Sequence, residues 1–371
     1  MDDEEFIKFL HSPSLIEAYR EEKKHLLYQV EQNFNSKRDF LEKAKKNAIE
    51  IDRKHRVMIN VCVAPFTEKG TLRSIDYRFI RASPLAELSI PNVDFLLYKS
   101  TERVRIAIFG EAKGSISKNP DKIINEYKDR IITITQYTDY IKTKYLKIPI
   151  NEMVYFEYVI AVPSIDAPNI LRKTIDKGGG IVVWHAPITG LEGISIAFPP
   201  KIIPPTIKNS MIHRDHELNK RMKNRVLSNR KMFNFFPQSH PVSKLDSLIF
   251  AARIEETGLT VSEDELIENL SKELFYLDDG VIKNEAKSIL SLGLRIDFLE
   301  KTTIEPNQYR IKAKSYRADK LAQIFEEKWI KNQLEEELDG MKETAIEEIQ
   351  SKYKTERQKD RELGDFGFEV N

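Results

Sequence analysis

The chain has 371 residues, 59 basic against 58 acidic side chains, and a formal net charge of +1. That length suits two or three domains, and 41% hydrophobic with 32% charged residues excludes a collagen-like, disordered or low-complexity chain. The single cysteine, Cys62, excludes a disulfide framework and a Cys-rich structural zinc site.

No apolar run approaches the roughly 18 residues of a membrane span, and Met1-Asp-Asp-Glu-Glu5 lacks the basic start of a signal peptide. The expectation is a protein of the cell interior with no membrane partner. No Gly-x-x-x-x-Gly-Lys-Ser/Thr occurs, so nothing signals a P-loop motor.

In chain order, apolar spacing predicts helix over residues 1–55, through Phe6, Phe9, Leu10, Leu15 and Ile16 and again through Phe40, Leu41, Ala44, Ala48 and Ile51, with Ser36 as the N-cap of the second stretch. Residues 57–63, 75–80, 93–98 and 104–109 are short, rich in β-branched or aromatic side chains, and read as strands. A helix is expected from Asp121 to about Tyr145, then strands at 154–162 and 181–184, with Gly178-Gly-Gly180 as a hairpin turn. The composite is a mixed α/β layered core that ends near Pro199, Pro200, Pro204 and Pro205. Residues 209–245 form a basic connector. Beyond it, helices at 245–257, 262–275 (capping box Ser262/Glu265) and 281–292 precede two strands at 295–300 and 308–313, an order that resembles a winged helix. A charged helix from Ala318 to about Glu362 closes the chain.

The chemistry is concentrated in Asp94, at the start of one apolar strand, and in Glu111-Ala-Lys113-Gly114, at the end of the next. Glu111 and Lys113 share a face because side chains two apart on a strand do. An antiparallel pairing of the two strands brings all three to one sheet edge. Burying two carboxylates and an ammonium is costly unless a cation or substrate uses them. Two carboxylates with a backbone carbonyl suit Mg²⁺, and a neighbouring lysine can orient an attacking water. The set fits metal-assisted phosphodiester hydrolysis. The other reading of the same residues is a solvated strand-end ion pair, with Asp94 as a turn residue.

Asp94, then Glu111-Ala112-Lys113 on the following strand, then a long helix and a strand resemble the PD-(D/E)XK nuclease superfamily, over roughly residues 37–190. The motif's proline stands at Pro91 rather than next to Asp94. The resemblance implies a restriction-endonuclease-like mixed sheet flanked by helices. It also implies Asp94, Glu111 and the Ala112 carbonyl as Mg²⁺ ligands, Mn²⁺ being able to substitute, and Lys113 as the catalytic lysine. Glu50 is the candidate for an accessory glutamate on the first core helix, with Glu42 as the other choice, and Gln136 with Tyr140 for the Gln…Tyr pair of some members.

Basic residues of the connector (Lys220, Arg221, Lys223, Arg225, Arg230, Lys231) and of the third winged-helix-like helix (Lys283, Lys287) are candidate DNA contacts. A solvated linker and a docking face for a protein partner are the respective alternatives. His213-x-x-His216 lacks a third ligand, His185 reads as a packed or capping histidine, and Cys62 as a buried hydrophobe.

The domains expected are 1–36, a helical segment; 37–205, the nuclease-like core; 206–244, the connector; 245–316, the winged-helix-like domain; and 317–371, the charged helix and tail. The function expected is Mg²⁺-dependent cleavage of double-stranded DNA by a homodimer of the type II restriction kind, in the cytoplasm of a prokaryotic cell. A transposon-end endonuclease subunit, or a non-catalytic DNA- or partner-binding protein on the same fold, are the alternatives.

Overall fold

The structure is a computed structural model that describes residues 2–67, 71–88, 90, 93–114, 120–176, 180–186, 201–202, 211–223, 236, 239–255, 258–302, 307–313 and 317–365. The chain is mixed α/β and divides into two compact units, Met1–Asn47 with Gln323–Asn371, and Ala48–Ala322.

The first unit is helical. It holds α1 (Asp3–Leu10), the first part of α2 (Pro13–Val63), and most of α11 (Ala318–Asp365). Asp2 caps α1 through a hydrogen bond from the Glu5 N–H. Phe6, Leu10, Tyr19, Ile349 and Tyr353 form its core. The pairs Glu22–Lys352, Glu31–Lys342 and Lys45–Glu337 climb one helix as they descend the other, so α2 and α11 run antiparallel here.

Two sheets organise the second unit. In chain order its first half carries the rest of α2, β1 (Tyr77–Ala82), β2 (Phe95–Ser100), β3 (Arg105–Ala112), α3 (Pro120–Gln136), the short α4 (Thr138–Tyr140), β4 (Tyr155–Pro163), α5 (Ala167–Asp176), β5 (Ile181–Ala186), the two-residue β6 (Lys201–Ile202), α6 (Met211–Arg214) and α7 (His216–Lys223). The six strands lie in sequence order β1-β2-β3-β4-β5-β6. β1–β2–β3 is an antiparallel meander, β3–β4–β5 is parallel, and β6 returns antiparallel. Parallel neighbours need a crossover, and α3 and α5 supply them. One face of this sheet (Ile106, Ile108, Ala112, Val159, Val182, Trp184) packs on Met58, Ile59, Val61 and Cys62 of α2. The other (Leu96, Tyr98, Phe109, Ile160, Val162, Val183) packs on Ile124, Tyr127 and Ile134 of α3 and Ile170 of α5.

The second half carries α8 (Pro241–Ala251), β7 (Arg253–Glu255), β8 (Gly258–Ser262), α9 (Glu263–Glu273), α10 (Asp279–Arg295), β9 (Leu299–Lys301) and β10 (Gln308–Ile311), with strands in the order β7-β8-β10-β9. Both halves of the capping box at Ser262 and Glu265 form.

Several expectations are corrected. Residues 57–63 are the end of α2, not a strand: their β-branched run is apolar all round because the helix is covered there, with Met58, Val61, Cys62 and Val63 fully buried. Ser36 caps nothing and instead donates to the Asn33 carbonyl within α2. No hairpin is formed at Gly180: it precedes β5, which pairs parallel with β4, and Gly178 and Gly179 lie outside the described residues. The helix expected to reach Tyr145 ends at Gln136 and gives way to α4 and a π-turn, Ile141–Leu146. The helix expected over 245–257 ends at Ala251, and β7 takes its place. The helix expected over 281–292 runs on to Arg295 and so contains Gly293. Gly293 gives Leu299 and Leu248 room, since a Cβ there would lie 2.6 Å from Leu299 Cδ1.

Candidate active site

β2 and β3 are joined by a tight turn in which Thr101 and Val104 exchange hydrogen bonds. Phe95 faces Gly110 and Leu96 faces Phe109, and the ring of Phe95 lies over Gly110, where a Cβ would clash at 1.8 Å. Just before β2, the Asp94 N–H donates to the Gly110 carbonyl, which holds Asp94 beside the end of β3. Both carboxylates are buried, at 8% and 3% exposure. A solvated strand-end pair is thereby excluded. Charge this deep needs partners, and four groups provide them.

Lys113 Nζ lies 2.5 Å from Glu111 Oε1. Arg130, from α3, makes an ion pair with Glu111 Oε2. Oε2 is buried and has no other partner among the described residues. His55 Nε2, from α2, lies 3.1 Å from Asp94 Oδ2, which also accepts the Ala112 N–H at 2.6 Å. The Lys113 N–H donates to the Ala161 carbonyl, continuing the parallel ladder past the end of β3. Gly114 lets α2 come close: a Cβ there would sit 2.4 Å from the backbone N of His55.

Electrostatics separate the two carboxyls. Burial acts to raise Asp94, but the charge and hydrogen bond of His55, the Ala112 N–H and the Lys113 charge outweigh it and hold Asp94 below the ordinary carboxylate range. Burial and then the negative charge of Asp94 raise Glu111, which Lys113 and Arg130 only partly offset. Burial acts to lower His55, yet Asp94 beside it leaves it raised. Two neighbouring carboxyls driven apart in this way are suited to different roles.

Among the described residues no three His, Cys, Asp or Glu side chains gather as a metal-binding group. The side-chain donors gathered here are the two carboxylates of Asp94 and Glu111, each already paired with a protein group. A hard cation that keeps several waters fits such a set, whereas a full side-chain cage does not form.

Among the described residues, the remaining candidates are not brought to this site. Glu50 is partly exposed on α2, beside Arg53 and Lys54. Gln136 is exposed at the end of α3, and Tyr140 donates to Glu87 instead. Lys220 is exposed on α7, and Arg221 pairs with Glu217 and Ser74. The side chain of Lys223, and Arg225, Arg230 and Lys231, lie outside the described residues. Lys283 and Lys287 are exposed on α10. His185 shares a hydrogen bond with Ser164 at 2.8 Å, and Cys62 is buried.

Sequence reading missed His55 and Arg130. Arg130 had a signal: with Ile123, Tyr127 and Ile134 it occupies the buried stripe of α3, where an apolar residue is the norm. Comparisons with protein-family models, curated proteins and solved structures returned no match. Among the described residues no helix is long and apolar enough to cross a membrane.

Proposed function

We propose that the chain is a metal-dependent endonuclease that hydrolyses phosphodiester bonds of double-stranded DNA, on a core of the PD-(D/E)XK kind. The observation that carries this reading is the cross-strand burial of Asp94 and Glu111 with Lys113 on the same strand end. Asp94 and Glu111 would hold Mg²⁺ through carboxylate oxygens and Ala112 through its carbonyl. Bound there, the cation supplies charge neutralisation at the phosphate and a more acidic water. Lys113 orients the attacking water and offsets charge developing at phosphorus. The water oxygen bonds to phosphorus, the bond to the leaving sugar oxygen breaks, the water loses a proton to solvent, and the leaving oxygen gains one.

The second half of the same unit supports DNA as the partner. Helix α8, strand β8, helices α9 and α10, then β9 and β10, with β10 between β8 and β9, follow the plan of a winged helix. In that plan α10 is the reading helix, and its exposed Lys283, Asn284, Lys287 and Ser288 lie on one face. One site cuts one strand, so scission of a duplex calls for two copies.

The test is the purified chain on a long unmethylated plasmid, with Mg²⁺ and with EDTA, beside Lys113→Ala. Discrete fragments that require Mg²⁺ and vanish in the variant are expected. No cleavage by the wild type under any divalent metal would leave a DNA- or partner-binding protein as the better reading.

A further inference from the structure

Glu111 is held between two cations that come from different elements. Lys113 is two residues away on the same strand, and the backbone keeps it there. Arg130 arrives from α3 on a long side chain that is 26% exposed. An arginine whose task is to neutralise a carboxylate normally grips it with two parallel N–H bonds. Arg130 does not: it meets Glu111 through one nitrogen, Nη1, on one oxygen, Oε2. Among the described residues no other oxygen accepts from its guanidinium. Most of a planar fork of donors thus stands beside the carboxylates with no protein acceptor among the described residues, one nitrogen alone being held by Glu111.

Charge balance gives it a destination. Asp94 and Glu111 are already offset by Lys113, Arg130 and the His55 contact. A divalent cation on the same carboxylates makes one of these groups redundant. Arg130 reaches Glu111 from a separate helix and through one nitrogen only, so it is the group assigned to move, and the nearest anion would be the substrate's own phosphate.

We propose that Arg130 grips the nonbridging oxygens of the scissile phosphate, with Glu111 keeping it at the site beforehand. This rests on the nuclease reading above. It predicts opposite effects of one substitution on metal and on DNA, which a purely neutralising arginine does not.

The test compares wild type with Arg130→Ala, Arg130→Gln and Arg130→Lys, all checked by thermal melting. Mn²⁺ affinity of the protein alone is measured by electron paramagnetic resonance. Binding of a fluorescein-labelled 30-base-pair duplex is measured by anisotropy in Ca²⁺, and cleavage is measured at saturating Mn²⁺. Arg130→Ala and Arg130→Gln should bind Mn²⁺ as tightly as wild type or a few-fold tighter. They should bind the duplex roughly tenfold more weakly and cleave about 10²–10³-fold more slowly, with Arg130→Lys recovering only a small part. Weaker Mn²⁺ binding with unchanged duplex binding and unchanged rate at saturating metal would overturn the proposal and make Arg130 a support for Glu111. Wild-type Mn²⁺ binding that is absent, or unchanged in Glu111→Gln, would overturn the nuclease reading itself.

Discussion

Asp94 and Glu111 are like charges on facing strands, and each owes its position to a neighbour with no charge at all. Gly110 makes room for the ring of Phe95, and Gly114 lets the backbone of α2 close over the strand end. Gly114→Ala should therefore cost about 1–3 kcal/mol, as overpacking does. It should also lift His55 from Asp94, seen as a lower urea midpoint together with a lower His55 titration by NMR. Lys113→Ala should lower the cleavage rate by about 10²-fold or more and also lower the urea midpoint, since it removes a partner of the buried Glu111; a variant that cuts normally would remove Lys113 from the chemistry. The carboxylates and Lys113 were legible in sequence because a short antiparallel turn brings them together. His55 was not, since it reaches Asp94 from 39 residues upstream, through a helix whose end was mistaken for a strand. Arg130 was legible in principle as a cation on a buried stripe, though nothing in its own neighbourhood names Glu111 as its partner.

At the level of elements, α3 is fixed to the sheet by a hydroxyl. Tyr127 donates to the Phe109 carbonyl at 2.7 Å and accepts the Val159 N–H at 3.0 Å, so it sits inside the junction of β3 and β4. Tyr127→Phe keeps the ring but leaves a buried carbonyl and N–H unsatisfied, which should cost about 2–4 kcal/mol in urea unfolding. Because Arg130 is one turn further along α3, the same variant should lower cleavage too. A second clasp holds α7 to the meander: Asp215 accepts from Tyr77 and Lys99 and from the N–H of Leu218. Burial acts to raise Asp215, yet these bonds hold it below its ordinary 3.8. A carboxyl depressed by folding adds stability above its unfolded value, and that stability is lost as pH falls from 3.8 through the folded value. Asp215→Asn should flatten the acid limb of the stability profile in that window. Strand periodicity located β1 to β5 within a few residues. It failed at α2, because β-branched residues covered on every side carry neither a helical nor a strand period, and at β7, whose three residues are too short to show one.

For the whole molecule, the ends of the chain depend on one another. Phe6, Leu10 and Tyr19 form their core with Ile349 and Tyr353, while the bordering ion pairs are mostly exposed and add little. Ending the chain at residue 322 should strip that core and open residues 1–47 to limited proteolysis; continued protection would show that the N-terminal helices stand alone. No charge pattern linked these segments in sequence, since dense Glu and Lys occur along the whole of α11. The order in which contacts form also bears on the buried carboxylate pair. A tight turn closes β2 onto β3 early, whereas the parallel ladder and its crossover helices close later because their contacts are less local. During that interval Asp94 and Glu111 lie close without His55 of α2 and Arg130 of α3 beside them, so the residues proposed to cut DNA are expected to slow assembly. Asp94→Asn should refold faster than wild type in stopped-flow experiments, and added salt should narrow the gap by screening the wild-type repulsion.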